Sequence, residues 1–260
     1  ATKPFFPGEE EELRHELNKV EDMICFAREN QRSIEMLSEA FMEIKDTTYT
    51  IDRSGRNTLS VVELYEIKTL LLMMRKIEQI CSQTHTAVPE EFILEPTETL
   101  LDVLDPNKDR LNTFYIYDEF SEKLRELRKE KHSIEITIRK QQKARKEEIR
   151  KEYGIVLTPK FDCAVSKTGG DLEKYKAVPD LEQVDEDYMT VTFQLKPGDA
   201  VYQLTQKMED LTTQIEEEEA VIRQELSLRI AEFAEVLKSN CHRIGCLDVA
   251  VGKALYAIKH

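Results

Sequence analysis

DEFSEKLRELRKEKHSIEITIRKQQKARKEEIRKEY, residues 118–153, is the stretch that decides the fold. Leu124, Leu127, Ile134 and Ile138 trace one sparse apolar stripe through an otherwise charged run. That pattern predicts a long helix with a single narrow contact face. At the rise of an α-helix, roughly 35 residues span about 50 Å, too long for a body of this size to enclose. A partner stretch follows at 200–240, where Leu204, Met208, Leu211, Ile215, Ile222, Leu226, Phe233 and Leu237 recur at heptad-like steps. Gly154, Thr168-Gly169-Gly170 and Pro197-Gly198 punctuate the segment between them. Its β-branched runs at 155–159 and 188–195 suggest short strands.

The expected architecture is therefore mainly α: a helical core bundle with a long antiparallel two-helix lever ending in a small β-containing clamp. The boundaries are a linker-like edge at 1–8, the first part of the core at 9–117, an outgoing lever helix at 118–153, a clamp tip at 154–199, a returning lever helix at 200–240 and the closing part of the core at 241–260.

Outward from the lever, residues 9–45 carry apolar side chains at three- and four-residue steps, including Leu13, Leu17, Val20, Met23, Ile34, Leu37 and Phe41, the mark of amphipathic helices. The polar run 52–57 breaks the pattern. Ser60 and Glu63 then stand at capping-box spacing and predict a helix running to Ser82. Its Leu70-Leu71-Leu72-Met73-Met74 core is apolar on nearly every side, so this helix belongs in the middle of the bundle. Pro89, Pro96 and Pro106 separate short helices of the same body, and the small and apolar residues of 245–260 rejoin it.

The 260 residues carry a formal net charge of -14, with 34% charged residues and only eight Gly and eight Pro. This composition favours long solvated helices and disfavours nonspecific attraction to nucleic acid. Any contact with phosphate must be local. Arg139, Lys140, Lys143, Arg145, Lys146, Arg150 and Lys151, set against Glu147 and Glu148, form such a locality with a net charge of +5. The five cysteines are an odd number without repeating spacing, and there is no signal peptide or long apolar run. A cytoplasmic protein with reduced thiols and no membrane association is expected.

No catalytic constellation emerges. The chain has no GxxxxGK[ST] loop, dinucleotide glycine fingerprint or nucleophile elbow. Cys241, His242 and Cys246 lack a fourth metal partner and read as packed thiols beside a surface histidine. The acidic run Glu216 to Glu219 reads as a solvated helix face. Two segments imitate calcium-binding loops. In the first, Asp52, Ser54 and Glu63 fall at ligand positions, but Arg56 takes an oxygen's place. In the second, Asp105, Asn107 and Asp109 lack the closing bidentate Glu, since Ile116 stands there. Both read as polar helix connections, with no metal site expected.

Three sets of residues give the order of parts a specific form: Leu59-Ser60-Val61-Val62-Glu63-Leu64-Tyr65-Glu66-Ile67-Lys68; Tyr115, Asp118, Phe120, Leu124, Leu127 and Arg128 where the outgoing helix departs; and Leu247-Asp248-Val249-Ala250-Val251-Gly252-Lys253-Ala254-Leu255-Tyr256-Ala257 where the chain re-enters the core. From about residue 10 onward the chain resembles the core, lever and clamp of the MutS family of DNA mismatch repair proteins.

The resemblance implies a noncatalytic part that contacts the backbone of duplex DNA and transmits motion from an ATPase carrying the Walker motifs. ATP and magnesium are expected in that separate domain, none in this part, and the full-length parent is expected to be a homodimer. A second branch of the family, blind to mismatches and associated with recombination intermediates or ribosomes, fits equally.

The clamp residues implied by the resemblance are Lys160, Lys167, Lys174 and Lys176, with Arg145, Arg150 and Lys151 behind them. Against this expectation, residues 153–200 hold five Lys and nine acidic residues, net -4, which predicts weak and strongly salt-dependent contact with DNA. Two other classes compete: a coiled-coil scaffold binding protein through its heptad stripe, and a degenerate calcium-loop regulator.

Overall fold

The computed structural model describes residues 5–259; residues 1–4 of the linker-like edge and His260 lie outside the described residues. The chain is mainly helical with one small antiparallel sheet. It divides into two compact units, one formed by Ala1–Phe120 with Ala220–His260 and the other by Ser121–Glu219.

In the first unit, α1 (Glu10–Glu29) and α2 (Gln31–Glu43) meet at Asn30, α3 spans Thr48–Ser54, α4 spans Val61–Ser82 and α5 spans Glu98–Leu104. The capping box forms as expected: Ser60 Oγ accepts from the Glu63 backbone N–H, and the Glu63 carboxylate accepts from the Ser60 backbone N–H at 2.8 Å. Leu64, Ile67, Leu70, Leu71, Met74, Ile77 and Ile80 of α4 are buried, which makes it the spine of the core. The polar run at 52–57 begins inside α3 and not in a loop.

Three buried polar side chains in this unit hydrogen-bond to backbone groups. Asn30 donates to Phe26 O and accepts from His85 N. Ser227 accepts from Leu59 N at 2.8 Å. Asn240 clasps both backbone groups of Glu95, donating at 2.9 Å and accepting at 2.8 Å.

The second unit begins with α6 (Glu122–Tyr153), capped by Ser121, whose Oγ accepts from Leu124 N. The helix closes at Gly154, whose φ of 66 places it in the left-handed region. The sheet follows: β1 (Asp162–Ser166), a single helical turn α7 (Leu172–Lys176), β2 (Leu181–Glu186) and β3 (Thr190–Leu195), in the order β1-β3-β2. Both pairings are antiparallel, with Cys163 opposite Phe193 and a bulge between Gln183 and Asp185.

The first strand suggested by the sequence, 155–159, is not one. Ile155 and Leu157 are buried and Val156 is exposed, so the alternation is real, but the stretch pairs with no strand. Its apolar residues instead join Ile149, Cys163, Val165, Val178, Leu181, Val191, Phe193 and Leu195 in the core of this unit.

The chain returns through α8 (Asp199–Glu232) and continues as α9 (Ala234–Lys259). Phe233 is the junction, so the stretch 200–240 holds two helices. Within the second unit α6 and α8 run antiparallel, because Lys123 pairs with Glu218 at 2.7 Å while Glu130 pairs with Lys207 at 2.6 Å.

Candidate nucleic-acid interface

A helix whose last turns are rich in Lys and Arg places positive charge at its own negative end, a favourable arrangement. The last turn of α6 carries Arg150 and Lys151, and Lys174 Nζ lies where a Cβ on Gly154 would meet it at 3.8 Å. Three of the seven candidate cations therefore gather at the C-terminus of α6. Upstream, Arg139, Lys143, Lys146 and Arg150 recur at helical spacing and share one flank.

The structure divides the seven candidates by whether a carboxylate already holds them. Arg145 is clamped between Glu148, at 2.6 Å, and Asp180. The Asp180 and Glu148 hydrogen bonds hold its guanidinium charged far above the ordinary range. Lys167 pairs with Glu186 at 2.7 Å, Lys176 with Glu173 at 3.2 Å and Arg150 loosely with Glu147 at 3.8 Å. Among the described residues Lys151, Lys160 and Lys174 carry no ion pair, and their side chains are exposed.

Arg139, Lys140 and Lys143, part of the basic run but outside the predicted clamp set, are equally exposed and carry no ion pair among the described residues. Their signal was legible as net charge; what was not legible is that Asp180 and Glu186 would neutralise neighbours and leave these three uncompensated. Lys146 donates to Thr158 O at 3.0 Å and so ties α6 to the loop before β1.

The β2–β3 hairpin has the opposite character. Asp185, Glu186 and Asp187 lead into Tyr188, which is 92% exposed, and Met189. Asp187 accepts from the backbone N–H groups of Thr190 and Met189, at 2.6 and 2.7 Å, and these bonds hold its carboxyl below the usual range. The hydrogen bond from Lys167 does the same for Glu186. Both stay ionised near neutrality and would repel phosphate.

The calcium-like segments are committed elsewhere. Asp52 pairs with Lys238 at 2.6 Å, Glu63 with Arg53 at 2.8 Å, and Asp105 with Lys68 and Arg110. No group of three or more His, Cys, Asp or Glu among the described residues could hold a metal ion. No helix among them is long and apolar enough to cross a membrane. The sequence matches no protein-family model and none of the curated proteins with which it was compared.

Proposed function

We propose that this chain is the noncatalytic core, lever and clamp of a MutS-like DNA mismatch repair ATPase. In this reading it touches the phosphate backbone of duplex DNA and transmits motion driven by ATP bound in a separate domain. The observation that carries the reading is connectivity: a helical unit interrupted by an inserted unit that leaves through one long helix, builds a three-stranded sheet and returns through another. ATP and magnesium belong to the ATPase part of the parent, since the present sequence holds no phosphate-cradling glycine loop. The mismatch-blind branch of the family shares this connectivity and remains the second reading within the proposal, with a homodimeric parent in both.

The phosphate contacts fall to the cations that no carboxylate occupies: Lys151, Lys160 and Lys174 of the clamp set, extended by Arg139, Lys140 and Lys143. The coiled-coil scaffold is less well supported, because Leu211, Ile215, Ile222 and Leu226 of its heptad stripe are already buried within the chain. Fluorescence anisotropy of labelled matched, mismatched and branched duplexes, at about 50 and 200 mM salt, tests the proposal. Binding that falls steeply with salt is expected. Binding that is absent at both, while the chain self-associates through α8, would favour the scaffold.

A further inference from the structure

The first unit has a second chemical feature, unrelated to DNA. α1, the tight turn at Glu90–Phe92 and α9 line an open cavity of about 460 Å³, with apolar walls from Val20, Phe92, Val249 and Ala250. Cys246 and His242 stand one helical turn apart on α9 and both line it. Cys246 Sγ lies 3.6 Å from His242 Nε2, within hydrogen-bond reach for sulfur. Cations and anions ring the same cavity as two pairs, Lys19 with Glu91 at 2.9 Å and Lys253 with Glu16 at 3.5 Å.

The other thiols are placed differently. Burial pushes Cys81 and Cys163 up to about 11 and raises Cys241 as well, with Asp46 adding to the last. Cys25 is exposed, as Cys246 is, but no hydrogen bond joins it to a base among the described residues. Cys246 alone combines exposure, an imidazole partner and a cavity. The Glu91 carboxylate, with Glu16 nearby, holds the Lys19 ammonium charged at the cavity rim.

We propose that Cys246 is a thiol–disulfide exchange site, which takes a small peptide disulfide of the glutathione class into this cavity. Nε2 of neutral His242 accepts the thiol proton. The Cys246 thiolate attacks one sulfur of the disulfide, forming a Cys246–peptide S–S bond as the original S–S bond breaks. The leaving peptide thiolate carries away the electron pair and is protonated by the imidazolium or by water. Cys246 is oxidised and the departing half of the disulfide is reduced, so the step needs no other oxidant. Lys19 and Lys253 are placed to take the peptide carboxylates, and Glu16 and Glu91 its ammonium, by opening their mutual pairs at the cavity rim.

The test incubates the intact chain with oxidised glutathione and follows each cysteine by peptide mass spectrometry. Cys246 should be labelled about tenfold faster than Cys25, because a base stands beside it and the cavity rim holds the peptide. His242→Gln should slow Cys246 alone and move its rate–pH profile to higher pH, with the melting temperature unchanged because both side chains are exposed. Cystamine, which has no carboxylates for Lys19 and Lys253 to hold, should still label Cys246 faster than Cys25, but by a smaller margin than glutathione does. Equal glutathione rates at Cys25 and Cys246, or a Cys246 rate and pH profile untouched by His242→Gln, would overturn the proposal.

Discussion

Lys68 Nζ lies 3.0 Å from Asp105 Oδ1, and both side chains are wholly removed from solvent. The ammonium also donates to Thr113 O at 2.9 Å and to Tyr117 Oη at 3.2 Å. The other carboxylate oxygen takes the backbone N–H and the guanidinium of Arg110. A buried ion pair survives when its remaining hydrogen-bonding capacity is filled, as here, and it is costly to halve. This knot ties α4 to the 105–117 segment, where Lys108 and Arg110 are held in left-handed backbone conformations.

Asp105→Ala should therefore destabilise the first unit by about 3–5 kcal/mol, since the Lys68 charge is left buried without its carboxylate. A Lys68→Met, Asp105→Leu double variant should recover much of that loss. Denaturant unfolding of Lys68→Met, Asp105→Leu and the double variant measures the coupling; additive losses would deny the pair.

The same carboxylate should shape the acid limb of stability. Burial alone would raise the Asp105 carboxyl, but the Arg110 backbone N–H, the Lys68 ammonium and the Arg110 guanidinium outweigh it and hold it below the ordinary value of 3.8. A depressed carboxyl contributes stability that is complete above its unfolded value and is lost as the pH falls through its folded value. Thermal melts should hold this contribution down to about pH 4 and lose it below. In Asp105→Asn that portion of the acid-induced loss should be absent.

Gly154 ends α6 with a φ of 66, and no atom crowds the space a Cβ would fill. Gly154→Ala should thus cost about 1 kcal/mol through backbone strain alone, and Gly154→Asn less, because Asn tolerates the left-handed region. Hydrogen exchange should show the loss in the C-terminal turns of α6 and in the sheet.

Phe193 is buried at the centre of that sheet, on β3 opposite Cys163 and beside the Tyr175 ring at 5.9 Å. Phe193→Ala should cost about 3–5 kcal/mol, as large aromatic truncations in packed cores do. Its effect should fall on amides of the Ser121–Glu219 unit and spare α4.

Local signals were legible and long-range ones were not. Ser60 with Glu63, and Gly154 after a charged run, announce helix ends because capping is settled within four residues of sequence. The mainly helical fold with a small sheet followed from periodicity. β1 and β2 escaped because each is mostly polar: β1 buries Cys163 and Val165, and β2 only Leu181, so neither presents an apolar run. The 155–159 stretch misled in the opposite sense, since its burial alternates without a pairing partner. The heptad stripe hid the junction at Phe233, where no Gly or Pro interrupts the sequence. At the candidate interface, charge was countable but compensation was not. Whether Arg145 or Lys167 is free depends on Asp180 and Glu186, which only the fold brings to them.

The most direct test compares two charge-reversal variants for duplex DNA binding across salt. One replaces Lys151, Lys160 and Lys174 with Glu; the other replaces Arg145, Lys167 and Lys176. Each phosphate contact removed should lower the slope of log affinity against log salt by about 1. The account predicts that the first variant loses affinity and flattens the slope by about 3, while the second changes both far less. Equal effects from the two sets, or duplex binding untouched by the first, would contradict it.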